Sequence, residues 1–412
     1  MRKRLRYLGQ TTVLSVLSVG ACALAVVTGV SAMYSFSENP ELLERSVEID
    51  ARNSDAVYRL ARLRHLEMTG DDGETEALYF ESLSGNPLMA VSWLGLSELY
   101  IDSGREADSE TALRMAQGMM QSSPGLLWES SMLAFRLGDN DLALDNLRVV
   151  AEADPAKRKR VFDIGWRVAK DPKTILERAV SDEVLPSYLG YLIQTDRQDA
   201  TYPVWERLGQ NGGADDEAAL AYADYLVSKG DTETARDIWA GIYPGEDVSA
   251  LVWNGGFEYD PVGRGFDWKV RNSDSVDADY DYRKKTEGYR SLRIKFSGKE
   301  NVDWKGVSQT VAVDPGSHYA LTWEAASSDI TTRNGVTVEV YCLGFKAESE
   351  PYTGSSDWES RRLEFDAPDD CPTVTIGLRR EKSDRLDNLI SGEFWLDDVR
   401  MTKMEDRRPT DA

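Results

Sequence analysis

The chain has 412 residues, 48 Lys+Arg against 71 Asp+Glu, and a formal net charge of −23. That balance excludes a protein that tracks nucleic-acid phosphates, and a hydrophobic content of 41% excludes a wholly disordered chain. Two distant histidines, His65 and His318, and three scattered cysteines exclude zinc motifs built on His pairs or Cys clusters.

Residues 1–37 open with Arg2, Lys3, Arg4 and Arg6 and then carry no charge from Tyr7 to Ser37. The densest apolar run, Val13 to Met33, is long enough to span a bilayer as a helix. It exceeds the apolar region of about 7–15 residues of a cleaved signal peptide. The pattern predicts an uncleaved signal anchor across residues 7–33, with the basic flank cytoplasmic and the bulk of the chain outside. In a bacterium that means an inner-membrane protein facing the periplasm. Val30-Ser31-Ala32 is an alternative cleavage site, giving a secreted form. Val19-Gly20-Ala21-Cys22 is an alternative lipid-attachment site.

Residues 38–245 read as helices with an internal period. Gly70-Asp71, Gly104-Arg105 and Gly138-Asp139 are 34 residues apart, and Gly230-Asp231 repeats the signal. A glycine there suits the left-handed cap that ends one helix and turns into the next. Trp93, Leu96 and Tyr100 precede Gly104 at helical spacing. Ala143 follows Gly138 by five residues and Ala235 follows Gly230 by the same step, where two helices must approach closely. Asp154-Pro155 closes a repeat. Asp171-Pro172 and Thr195-Asp196 are the turns of a degenerate stretch. These residues resemble tetratricopeptide repeats, with Ser109 in place of one close-packing Ala. The resemblance implies an all-α solenoid of five to six helix pairs whose surface holds a partner protein or peptide. His65, between Leu63 and Leu66, reads as a packing or surface residue.

From 246 to 406 the apolar period becomes two. Leu292, Ile294 and Phe296 share one strand face; so do Val336, Val338, Val340 and Cys342, and so do Val374, Ile376 and Leu378. Pro315-Gly316, Asn334-Gly335 and Gly354-Ser355 are turns. About nine strands fit, and the pattern predicts an antiparallel sandwich closed as a jelly roll. Residues 407–412 are a polar tail.

A second resemblance rests on an ordered set of short motifs. Asn254-Gly255-Gly256-Phe257-Glu258 opens the domain; Trp268, Glu287-Gly288-Tyr289-Arg290-Ser291-Leu292, Gln309 to Val313, Pro315-Gly316 and Tyr319 follow, and Phe394-Trp395-Leu396-Asp397-Asp398-Val399 closes it. This part is similar to the galactose-binding-type jelly rolls appended to bacterial glycanases as carbohydrate-binding modules (families 4, 9 and relatives). The resemblance implies glycan binding and a structural calcium ion. The positions matching its ligands are the Gly256 carbonyl, Glu258, Glu287, the Arg290 carbonyl and Asp397. Carboxylates and carbonyls are the donors calcium takes.

Sugar platforms are aromatic rings that meet C–H faces. Tyr341 points away from the Val336–Val340 face and is a candidate, together with Trp304 and Trp358; Tyr280, Tyr282 and Tyr352 lie in similar strand-end stretches. Trp323 reads as core and His318 as surface. Cys342 and Cys371 would be free to bond in an oxidising compartment.

Anchor, repeats and sandwich account for nearly every residue, and the sequence has no G-x-S-x-G, Walker loop or Ser/His/Asp arrangement. The expected function is therefore non-catalytic: a membrane-anchored envelope protein whose repeats bind a partner and whose jelly roll binds a glycan, in assembly or export of a cell-surface exopolysaccharide. The alternatives are a protein–protein adaptor whose sandwich has lost its sugar face, and an accessory subunit of a glycoside hydrolase.

Overall fold

The computed structural model describes residues 2–37, 39–67, 71–120, 123–243, 250–384 and 386–405. Gly70, Pro244-Gly245 and the tail 407–412 lie outside them. Among the described residues, fourteen α-helices precede ten strands. The helices are α1 (Arg2–Ser35), α2 (Pro40–Ile49), α3 (Ser54–Glu67), α4 (Asp72–Gly85), α5 (Ala90–Asp102), α6 (Glu106–Gln117) and α7 (Pro124–Arg136). They continue with α8 (Asn140–Ala153), α9 (Arg158–Val168), α10 (Pro172–Arg178), α11 (Leu185–Gln194), α12 (Gln198–Gln210), α13 (Asp216–Ser228) and α14 (Thr232–Ile242).

Their turns follow from the residues at the caps. Gly104, Gly138 and Gly230 have φ of +72°, +79° and +80°, the left-handed backbone a glycine adopts without cost. Asp139, Asp171, Asp215 and Asp231 cap the next helices by accepting from the third following N–H. Ala143 and Ala235 are fully buried. Ser109 stands where the repeat pattern expects an alanine. It is fully buried, and its Oγ lies 2.8 Å from both the carbonyl and the hydroxyl of Ser97 across the pair α5–α6. The hydroxyl is satisfied there, so the substitution keeps the close approach.

Leu17–Ser35 of α1, 19 residues, is long and apolar enough to cross a membrane, with a mean hydropathy of 1.8 over an 18-residue window. The C-terminal end of α1 packs on α2: Ser31 is fully buried, its hydroxyl donates to the Ser46 carbonyl at 3.0 Å, and Asn53 Nδ2 donates back to it at 2.9 Å.

The chain forms two compact units, one running to Asn211 and the other starting at Gly212. The second therefore holds α13 and α14 together with the strands. The expected boundary at 245 came from the change of apolar period. The packing reason for the earlier division is aromatic. Trp239 of α14 meets Trp253 and Phe266 edge-on, with ring centres 5.7 and 6.1 Å apart, and Tyr243 makes tilted contacts with both Trp239 and Trp253.

The strands are β1 (Lys269–Val270), β2 (Val276–Asp281), β3 (Ser291–Ser297), β4 (Trp304–Ala312), β5 (His318–Ile330), β6 (Thr337–Cys342), β7 (Phe345–Glu348), β8 (Gly354–Asp366), β9 (Thr373–Arg380) and β10 (Ser391–Lys403). They make two five-stranded antiparallel sheets, ordered β1-β4-β9-β6-β7 and β2-β3-β10-β5-β8. Their facing sides bury the alternating residues read from the sequence, among them Leu292, Ile294, Val338, Val340, Ile376, Leu378 and Trp323. Cys342 at the end of β6 is disulfide-bonded to Cys371 just before β9.

Candidate functional site

The first sheet turns Val336, Val338 and Val340 inward, so the odd residues of β6 face out. Tyr341 stands on that outer face, 36% exposed, paired across the sheet with Thr375 of β9 and Lys346 of β7. Beside it lies Gly377. A Cβ at that position would be 3.7 Å from Tyr341 Cε1 and 3.8 Å from Glu339 Cγ, so only a glycine leaves the ring edge uncovered. Glu339 is buried and pairs with Lys346 at 3.5 Å; Lys346 also reaches Glu348 and Glu381. Arg379, opposite Thr337, pairs with Asp303 and Glu381. Burial, and then the Glu339 charge, hold the Tyr341 phenol above its usual pKa, so it remains a hydroxyl donor. The face thus offers one ring edged by hydroxyls, carboxylates and cations, a set that can meet both the C–H surface and the hydroxyls of a sugar ring.

The two tryptophans expected as platforms are placed differently. Trp304 is 3% exposed and packs edge-on against Phe296 inside the sandwich, with ring centres 6.0 Å apart. A bulge between Trp304 and Val307 resets the alternation at the start of β4 and turns the indole inward. It presents no face to solvent and is no platform. Trp358 is half-buried in β8. Tyr352 is core, and Tyr280 lies beneath the Arg290 guanidinium at 3.9 Å.

A second cluster gathers at Gly256. A Cβ there would lie 3.7 Å from Glu258 Oε1 and 3.9 Å from Asp397 Oδ1, so the two carboxylates converge beside the same backbone. Left-handed φ angles at Asn254, Phe257 and Asp398, with a bulge after Asp397, place them. Asp397 is 1% exposed; it accepts from the Thr286 N–H and hydroxyl at 2.8 Å and from the Asp398 N–H at 2.9 Å. Burial raises its pKa, against the pull of those donors. Glu258 accepts the Tyr289 N–H. Among the described residues no ion pair forms at Glu258 or Asp397. Glu287 stands apart: its carboxylate is exposed and lies 3.7 Å from Arg400 Nη2. The Arg290 side chain ties the same loop to the Phe257 carbonyl and to Asp260, both at 2.6 Å. Among the described residues no group of three Asp, Glu, His or Cys side chains is arranged as metal ligands. A cation here would be held by two carboxylates and main-chain oxygens, donors of the hard kind calcium takes.

In the first unit, α3, α5 and α7 share a ladder of charge. Arg62 pairs with Glu98, Arg136 with Asp102, and His65 Nε2 lies 3.0 Å from Asp102. Burial raises the pKa of Glu129, beside this ladder. His65 is thus a bridging residue between two repeats.

No protein-family model and no curated protein matches the chain. Several solved structures are similar to one part or the other. A family 4 carbohydrate-binding module shares 15% identity over 37% of this chain and 99% of its own, with a TM-score of 0.28. The enzymatically active domain of tailspike protein 4 from bacteriophage CBA120 shares 14% identity and a TM-score of 0.28 over 39% of this chain; the match spans only 22% of the tailspike. YrrB, a TPR protein with an unusual peptide-binding site, shares 13% identity over 51% of this chain and 97% of its own, with a TM-score of 0.25. These are similarities of architecture; what the chain binds is argued from its own residues.

Proposed function

We propose that the chain is a non-catalytic, membrane-anchored envelope protein that holds a glycan on the outer face of its first sheet. Tyr341 is the platform, and Thr375, Glu339, Lys346 and Arg379 supply hydroxyl contacts. The helical repeats hold a partner protein or peptide, and residues 7–33 are the inner-membrane anchor. A structural calcium ion would sit between Glu258 and Asp397, with the Gly256 and Arg290 carbonyls completing the set. It would supply charge balance to two neighbouring acids and lock the opening loop to the last strand. The setting this suggests is assembly or export of a surface polysaccharide from the periplasmic side.

The observation that carries the reading is Tyr341 lying beside Gly377 with its ring half-exposed in a row of polar side chains. Calorimetric titration of the full chain in nonionic detergent against a panel of neutral bacterial polysaccharides tests it. At least one polymer should bind, and Tyr341→Ala should weaken it about tenfold, the worth of one aromatic contact. Silence across the panel from a folded protein would favour the adaptor, and capture experiments with the repeats would then identify its partner.

A further inference from the structure

The loop joining β2 to β3 runs Tyr282-Arg283-Lys284-Lys285-Thr286-Glu287-Gly288-Tyr289-Arg290. It carries four cations and one acid in a chain whose net charge is −23. Tyr282 and Tyr289 bracket the basic run and are 63% and 77% exposed. Neither ring is used by the sheet-face site.

The loop is pinned from all sides. Asp281 Oδ1 accepts the N–H groups of Arg283 and Lys284, the Ser291 hydroxyl donates to the Lys284 carbonyl, and Thr286 and Tyr289 donate to Asp397 and Glu258. Lys285 Nζ closes the loop on the Gly288 and Tyr289 carbonyls. Lys284 lies 3.7 Å above the Trp395 ring, and Arg290 Nη1 reaches the Tyr282 hydroxyl at 3.4 Å. Among the described residues, Arg283, Lys284 and Lys285 form no ion pair with a carboxylate, and the Arg283 guanidinium makes no hydrogen bond. Cations on a held backbone, none of these three in an ion pair, between two exposed rings form an anion site with stacking surfaces at both ends. The loop holds no aliphatic residue, so it has nothing to bury in a lipid surface.

We propose that this loop is a second binding site, for an acidic polysaccharide: Arg283 and Lys284 meet its carboxylate or phosphate groups, and Tyr282 and Tyr289 meet its sugar rings. The inference deepens the glycan reading and rests on it for the class of ligand, but shares no residue with the Tyr341 face.

Native affinity electrophoresis of the full chain in nonionic detergent tests it, with polygalacturonate or a neutral galactan in the gel. Polygalacturonate should retard the chain more than galactan does, and added salt should weaken the effect. Arg283→Gln with Tyr289→Ala, two exposed positions, should weaken it about fivefold or more with an unchanged melting curve. Tyr341→Ala should leave it unchanged. No retardation, equal retardation by the neutral polymer, indifference to the double variant, or loss with Tyr341→Ala would each overturn the proposal. A failed titration of the sheet face would leave this test standing.

Discussion

The six-membered ring of Trp239 in α14 lies against Gly265, in the loop that leads to β1. A Cβ built at Gly265 would overlap the six-membered ring, and the glycine has φ +55°. Its N–H donates to Asp224 of α13 at 2.7 Å. The last helix pair and the sandwich are thus fitted to each other at one glycine. Gly265→Ala should destabilise this unit by about 2–4 kcal/mol, lowering its melting midpoint by roughly 5–10 °C. Gly263 has φ +70° but open space around it, so Gly263→Ala should cost only about 1 kcal/mol. Equal costs at the two positions would show that Trp239 does not set the requirement.

That contact also marks what periodicity can and cannot convey. Gly104, Gly138 and Gly230 were legible because a helix end requires a backbone only glycine adopts easily. Tyr341 was legible because strict alternation with Val338 and Val340 fixes its side. Trp304 was not, because one bulge shifts the parity of its strand end. Trp239 occupies a proper repeat position, and nothing local tells that its neighbours are Phe266 and Gly265, on a loop of the sandwich. Glu258 and Asp397 both lie beside Gly256. Side-chain direction in a turn follows no period, however, and Glu287 turns to Arg400.

The bond between Cys342 and Cys371 closes a loop with a sequence separation of 29 and leaves Cys22, which is exposed, as the free thiol. Labelling the denatured, unreduced chain should therefore modify one cysteine, and labelling after reduction should modify three. Closing a loop of this length restricts the unfolded chain by about 3 kcal/mol, so reduction should lower the sandwich midpoint by several degrees. Three reactive thiols before reduction would place the chain in a reducing compartment and remove the envelope reading with it.

Ser31 is fully buried and hydrogen-bonded to Ser46 and Asn53, so the end of the apolar helix is built into the first repeat. Cleavage after Ala32 would remove that packing. The chain purified from membranes should therefore have the intact mass of the uncleaved sequence. A mass starting at Met33 would establish the secreted alternative.

The proposed calcium between Glu258 and Asp397 is tested by melting the chain with and without divalent ions. Calcium should raise the melting midpoint of the second unit relative to chelator, because a ligand selective for the folded state stabilises by mass action, about 2.7 kcal/mol at a hundredfold excess over Kd. Asp397→Asn and Glu258→Gln should each shrink the difference. Equal midpoints in calcium and chelator would leave the carboxylates held by Thr286 and Tyr289 alone.

Asp267 follows Phe266 in the same loop. It is 3% exposed, and its carboxylate accepts the N–H groups of Val262 and Trp268 at 2.7 and 2.8 Å. Burial outweighs those donors and pushes its pKa up to about 6. An acid with a raised pKa binds its proton more tightly when folded, so it penalises folding at neutral pH. The penalty falls away as pH drops through about 6 and is gone below the ordinary carboxylate value. Asp267→Asn carries no such charge at any pH. The stability of the wild-type chain relative to this variant should therefore rise by about 1–2 kcal/mol between pH 7 and pH 5. Urea unfolding of both chains across that range reads the difference directly. A difference that stays flat, or that grows in the opposite direction, would mean that Asp267 is ionised at its ordinary pKa and that the loop costs no desolvation where it meets Trp239.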